Sequence, residues 1–224
     1  LFFLFTTLLL GQSKETDKHL ILPALVSDNM VLQQSSSVGV WGWAEKNKEV
    51  IISADWNSET VTVKSDAFGK WKTKIKTPVA GGPFSMKIST KKEQITLNNV
   101  LIGEVWMGSG QSNMEMPMVG YNNEPINESN ELILSSKNQQ IRLFTVKRKT
   151  NKTPLYDCEG SWQEASPETV ADFSAVAYNF AKQLNSTLDV PIGIINSSWG
   201  GTPVEAWIQS EAIEDEVTLE EKKL

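Results

Sequence analysis

The spacing of apolar residues changes near residue 100, and no single repeating element accommodates both patterns. Over residues 20–100 the apolar runs are short. Val38-Gly39-Val40-Trp41-Gly42-Trp43 and Glu49-Val50-Ile51-Ile52-Ser53-Ala54 are rich in β-formers, and Thr60-Val61-Thr62-Val63-Lys64 alternates. Lys70-Trp71-Lys72-Thr73-Lys74-Ile75-Lys76 alternates strictly, which puts the lysines on one face of a strand and Trp71, Thr73 and Ile75 on the other. Asp66-Ala67-Phe68-Gly69 and Gly81-Gly82-Pro83 read as turns, the second leading into Phe84-Ser85-Met86-Lys87-Ile88. Short strands separated by such clusters predict an antiparallel β-sandwich over residues 17–100.

Past Leu101 the order becomes strand, loop, helix. Glu104-Val105-Trp106-Met107 is a short apolar run that ends in a Gly- and Ser-rich loop, and residues 140–146 read as a strand. Phe173, Val176, Ala177, Phe180, Ala181 and Leu184 fall on one face of a helix, with Asp172 or Ser174 near its start. Pro191-Ile192-Gly193-Ile194-Ile195-Asn196 is continuously apolar, as a strand buried on both faces in a parallel sheet has to be. Pro203 is placed to open a further helix through Glu205-Ala206-Trp207-Ile208. This alternation predicts an α/β domain over residues 101–224, with the boundary at 98–103.

Composition limits the function. The 224 residues carry 21 Lys+Arg against 27 Asp+Glu, a net charge of −6, which disfavours a nucleic-acid partner. Cysteine occurs once, at Cys158, so neither an internal disulfide nor a cysteine-based metal site is expected. Histidine also occurs once, at His19. Residues 1–10, LFFLFTTLLL, are too short to cross a bilayer, which takes about 20 residues, so no membrane span is expected. They match the apolar region of a secretory signal peptide over residues 1–16, which predicts a secreted or periplasmic protein. The charged end Glu220-Glu221-Lys222-Lys223-Leu224 reads as the interior of a longer chain.

Sites in α/β sheets form at the carboxyl ends of strands. Two loops qualify. Gly108-Ser109-Gly110-Gln111-Ser112-Asn113-Met114 lacks the third glycine of a dinucleotide fingerprint and the lysine of a P-loop. It also has Met114 where a nucleophile elbow needs glycine. A serine between a strand and a helix start sits where backbone N–H groups converge on an oxyanion, although an unreactive glycine-serine turn would look the same. In Asn196-Ser197-Ser198-Trp199-Gly200-Gly201-Thr202, the glycine pair allows close backbone approach to a ligand, or simply a tight turn.

The stretch Gly103-Glu104-Val105-Trp106-Met107-Gly108-Ser109-Gly110-Gln111-Ser112-Asn113-Met114 resembles the nucleophile block of the sialate O-acetylesterase family, carbohydrate esterases of the SGNH-hydrolase type. Residues 22–34, LPALVSDNMVLQQ, are similar to the opening of that family's β domain. Residues 166–178 resemble its first long helix, and residues 195–207, INSSWGGTPVEAW, its second block. The resemblance implies an N-terminal β-sandwich followed by an incomplete α/β SGNH (flavodoxin-like) hydrolase domain. It further implies that Ser112 attacks an acetyl ester on a sugar, and that Gly201 and Gly200 offer N–H groups to the oxyanion, as does Ser112 itself. Gln111 and Asn113 would shape the loop or touch the O-acetylated sugar substrate. No metal and no organic cofactor is implied.

One departure is decisive. The family's oxyanion-hole Asn and its catalytic Asp and His come from later blocks, which are not among these residues. A serine hydroxyl needs a base to take its proton, and His19 precedes the first strand of the other domain. These 224 residues alone are therefore expected to be nearly inert. Two alternatives stand beside the sialic-acid esterase: a non-catalytic carbohydrate-binding protein using Trp41, Trp43, Trp56 and Trp71, or an acetylxylan-type polysaccharide esterase. Those tryptophans suit core packing equally well.

Overall fold

The computed structural model describes residues 19–208 and Ala212. The expected leader and the charged C-terminal stretch lie outside the described residues. The strands are β1 (Val31–Gln33), β2 (Ser37–Trp43), β3 (Glu49–Ala54), β4 (Thr60–Lys64), β5 (Lys70–Lys76), β6 (Gly81–Ser89) and β7 (Gln94–Gly110), then β8 (Asn138–Thr145), β9 (Trp162–Ala165) and β10 (Ile192–Ser198). The helices are α1 (Ser112–Glu115), α2 (Ser129–Leu134), α3 (Pro167–Ala171) and α4 (Ala175–Leu188). Among the described residues this is a mixed sheet with few helices. Its strand order is β4-β3-β6-β7-β10-β8-β9, with β1 also paired to β7.

Up to residue 94 the strands follow the period-two reading. Lys72, Lys74 and Lys76 point to solvent while Trp71 and Ile75 are buried. β5 pairs antiparallel with β2 as a separate ribbon. Its inward side chains join Val40, Val50, Ile52, Met86, Ile88, Leu97 and Val100 in one apolar cluster. Fully burying a side chain such as Ile52 or Ile88 contributes roughly 1.5–3 kcal/mol.

The expectation of a wholly antiparallel first part does not hold at β1, which runs parallel to β7 over three residue pairs, Val31↔Leu101 to Gln33↔Gly103. Nor are Gly81-Gly82-Pro83 a turn: they begin β6, where the register to β7 shifts between Gly81 and Phe84. Proline lacks the N–H a ladder needs, and here it is accommodated at that irregularity.

Strand β7 is 17 residues long and runs unbroken through residues 98–103. β6 pairs with its first half, and β10 runs parallel to its second half from Glu104 to Gly110. β8 is parallel to β10, and β9 closes that side antiparallel to β8. The apolar run in β10 is explained by its two covered faces. Ile192 and Ile194 pack with Tyr178, Ala177 and Ala181 of α4, whereas Ile195 packs toward the first cluster.

The helix expected over residues 173–184 begins later. Phe173 precedes α4, and Ser174 caps it by accepting the Ala177 N–H at 3.2 Å. α3 and α4 are thus two helices in the stretch read as one. The buried stripe is Ala175, Ala177, Tyr178, Ala181 and Asn185, while Val176 and Phe180 are exposed. Phe180 instead meets Trp106 edge-on, with ring centroids 5.2 Å apart. Pro203 opens no α-helix: Val204–Trp207 is a single 3-10 turn. None of the described helices is long and apolar enough to cross a membrane.

One buried ion ties the strands from before and after residue 100. The Arg142 side chain on β8 is 2% exposed and reaches Glu164 of β9 at 3.2 Å. It also donates to the side-chain oxygens of Asn29 at 3.3 Å and Asn99 at 3.2 Å. Both asparagines adopt the left-handed conformation, which this residue type tolerates well. Burial pulls the Arg142 pKa below its usual value, and the Glu164 charge opposes that.

Candidate active site

Parallel pairing of β7 with β10 brings the two loops together. Ser109 pairs with Ser197 and Gly110 with Ser198, so both strands end at the same level and their loops leave side by side. The Trp199 N–H donates to the Gly110 carbonyl at 2.9 Å. The Gln111 side-chain amide donates to the Thr202 carbonyl at 3.0 Å. Gln111 is therefore a strut between the loops. Ser112 opens α1 and is exposed, as is Asn113 beside it. Gly110 takes φ +136°, a conformation that favours glycine, which turns the chain sharply from strand to helix.

Glycine at 200 brings the second loop close against α1. A Cβ there would lie 3.6 Å from the Ser112 Cα and only 2.6 Å from a Glu115 carboxylate oxygen. Glycine at 201 is required by conformation: its φ is +76°, and the space beside it is open. Structure thus joins Gln111, Ser112, Asn113, Gly200 and Gly201 in one locality at the carboxyl ends of adjacent strands.

The Gly200 N–H donates to the Glu115 carboxylate, so it is already engaged. Among the described residues, the Gly201 N–H makes no hydrogen bond. The other Glu115 oxygen accepts from Arg148, whose guanidinium lies 6.0 Å from the Trp199 ring centroid. A groove of about 400 Å³ opens next to this pair, with Trp199, Thr202 and Trp207 among its walls. The Trp207 N–H donates to the Thr202 hydroxyl at 2.9 Å, which in turn donates to the Trp199 carbonyl at 2.7 Å. Trp199 and Trp207 therefore wall a groove beside Arg148, and neither Ser112 nor the glycine pair is among its lining residues.

Sequence reasoning missed Glu115 and Arg148. The available signal was spacing: a residue three positions after Ser112 returns to the same side of a helical turn. His19 lies elsewhere, its backbone N–H on Glu93 at 3.2 Å and its ring 3.9 Å from Glu45.

No protein-family model matches the chain. It is homologous to sialate O-acetylesterases. The enzyme from Rattus norvegicus is 31% identical over 205 residues, and that alignment covers 84% of this chain and 37% of the rat protein. The enzyme from Homo sapiens is 30% identical over 205 residues, covering 84% of this chain and 38% of the human protein. The crystal structure of a carbohydrate acetylesterase from Xanthomonas citri superposes with a TM-score of 0.81 at 34% identity, covering 87% of this chain and 43% of that one. The chain therefore spans well under half the length of the relatives it matches.

Proposed function

We propose that this chain carries the nucleophile portion of a serine esterase that removes O-acetyl groups from sialic acid or a related acetylated sugar. The observation that carries the reading is the meeting of Ser112 with the Gly200-Gly201 turn at the carboxyl ends of β7 and β10. The named activities of the homologues support the same chemistry. Ser112 Oγ attacks the acetyl carbonyl and forms an acyl-enzyme while the sugar hydroxyl leaves. Water then attacks the acyl carbon and releases acetate. The Ser112 and Gly201 N–H groups stabilise the oxyanion in both steps. Gln111 holds the two loops in register, and Asn113 faces the substrate. We place the proton acceptor for Ser112 outside the described residues, because the chain's single histidine, His19, lies beside Glu45 and Glu93.

The finer architecture belongs to the same proposal. Residues 17–100 form a sandwich part and residues 101–224 the first portion of an SGNH-type part, with β7 shared. Supporting this are two separate apolar clusters, one built mostly from residues before 101 and one from residues after it. The apolar run at residues 1–10 supports export of the protein.

The test is hydrolysis of p-nitrophenyl acetate by the full gene product. Ser112→Ala is expected to lose about 10³-fold or more in rate. Full activity in that variant would contradict the assignment. Comparing acetylated sialic acid with acetylated xylan as substrates then identifies the sugar.

A further inference from the structure

Glu115 touches three parts that an ester-cleaving centre has to hold still. It lies three residues beyond Ser112 on α1. One of its oxygens accepts the Gly200 N–H and the other accepts from the Arg148 guanidinium. Its side chain is only 19% exposed, so these bonds are partly shielded from water. A carboxylate that accepts two donors in such a place is held in one geometry, because releasing either donor would strand a desolvated charge.

The glycine pair is thereby divided. The Gly200 N–H is turned toward α1 and consumed, whereas the adjoining Gly201 N–H makes no hydrogen bond among the described residues. The Gly200 N–H lies in one peptide plane and the Gly201 N–H in the next, one φ/ψ pair further on, so anchoring the first restrains the start of the turn that carries the second.

Building on the esterase reading above, we propose that Glu115 is a positioning residue: it bridges the nucleophile helix to the glycine turn and to β8's carboxyl end, and so aims the Gly201 N–H at the acyl oxygen. It touches no substrate atom itself. What matters is the reach of its side chain and an oxygen to accept the Gly200 N–H, more than its charge. Gln keeps the reach and one acceptor. Asp keeps the charge but is one methylene too short to reach the Gly200 N–H from α1.

The experiment measures kcat and KM separately for Glu115→Gln, Glu115→Asp and Glu115→Ala in the full gene product on p-nitrophenyl acetate, with Ser112→Ala in parallel. Misplacing an oxyanion donor by about 1 Å costs on the order of 10²-fold in rate. The Asp and Ala proteins are therefore expected to lose about that much in kcat, with KM moved less than about 3-fold. The Gln protein should stay within about 3-fold of wild type in both. Wild-type kcat in Asp and Ala, a change confined to KM, or a loss in Gln as large as in Ala would overturn the proposal. If the Ala protein does not fold, the Asp and Gln proteins decide the matter. Activity surviving in Ser112→Ala would sink the esterase reading itself, a result distinguishable from any of these.

Discussion

Arg142 concentrates more buried polar contacts than any other side chain described above, and its removal should be felt throughout the chain. Arg142→Ala leaves Glu164, Asn29 and Asn99 without their shared donor. Breaking a buried pair this way is expected to cost about 3 kcal/mol, less than a fully enclosed pair would because Glu164 is 38% exposed. Urea unfolding of the two proteins would measure it, and a difference below about 1 kcal/mol would argue against the clamp. Nothing in the sequence marked Arg142, since an arginine within an alternating strand reads as solvent-facing. Its burial depends on two asparagines that lie 113 and 43 positions away along the chain. Ser112, by contrast, was legible, because a serine between a strand run and a helix start is a local pattern. Glu115 fell between these cases: its spacing was visible, but its partners come from the segments that follow two other strands.

Elements whose faces differ in polarity were the most readable. β5 shows it best, since alternate lysines leave only one way to orient the strand. α4 shows the limit. Val176 and Phe180 extend the apolar stripe in sequence, yet the sheet covers only the alanine-rich side. Periodicity reports which residues are apolar, not how wide a surface the neighbouring layer covers. The short α3 is held by its cap: the Ser166 hydroxyl accepts the Thr169 N–H, and the Thr169 hydroxyl accepts the Ser166 N–H. Ser166→Ala should destabilise by about 1 kcal/mol. The Ser166 hydroxyl also donates to Glu168 at 2.6 Å and holds that carboxyl below its ordinary pKa of 4.5. This part of the contribution is present above the ordinary value and is lost as pH falls through the lower folded-state value. Thermal unfolding should therefore show the gap between wild type and Ser166→Ala narrowing in acid. A gap that widened there would contradict the sign.

At the scale of the molecule, residues 88 positions apart meet because β10 lies in register against β7. That register requires β1 to cross close to β10: a Cβ at Gly193 would sit 2.7 Å from the Val31 Cβ. Gly193→Val should wedge the strands apart and cost about 1–3 kcal/mol. If the parallel register aligns the loops, esterase activity should fall with it, and unchanged stability would show the strands to be more loosely packed. The strand pairing itself was only half legible. The covered parallel run of β10 announced itself by composition, but a 17-residue β7 serving two strand sets did not. The central claim is that Ser112 is the nucleophile facing the Gly201 N–H. It is tested most directly by treating the full gene product with a fluorophosphonate and locating the adduct by mass spectrometry. The adduct is expected on the peptide containing Ser112, and it should be absent from Ser112→Ala. Stoichiometric labelling at another residue, with Ser112 unmodified, would contradict the account.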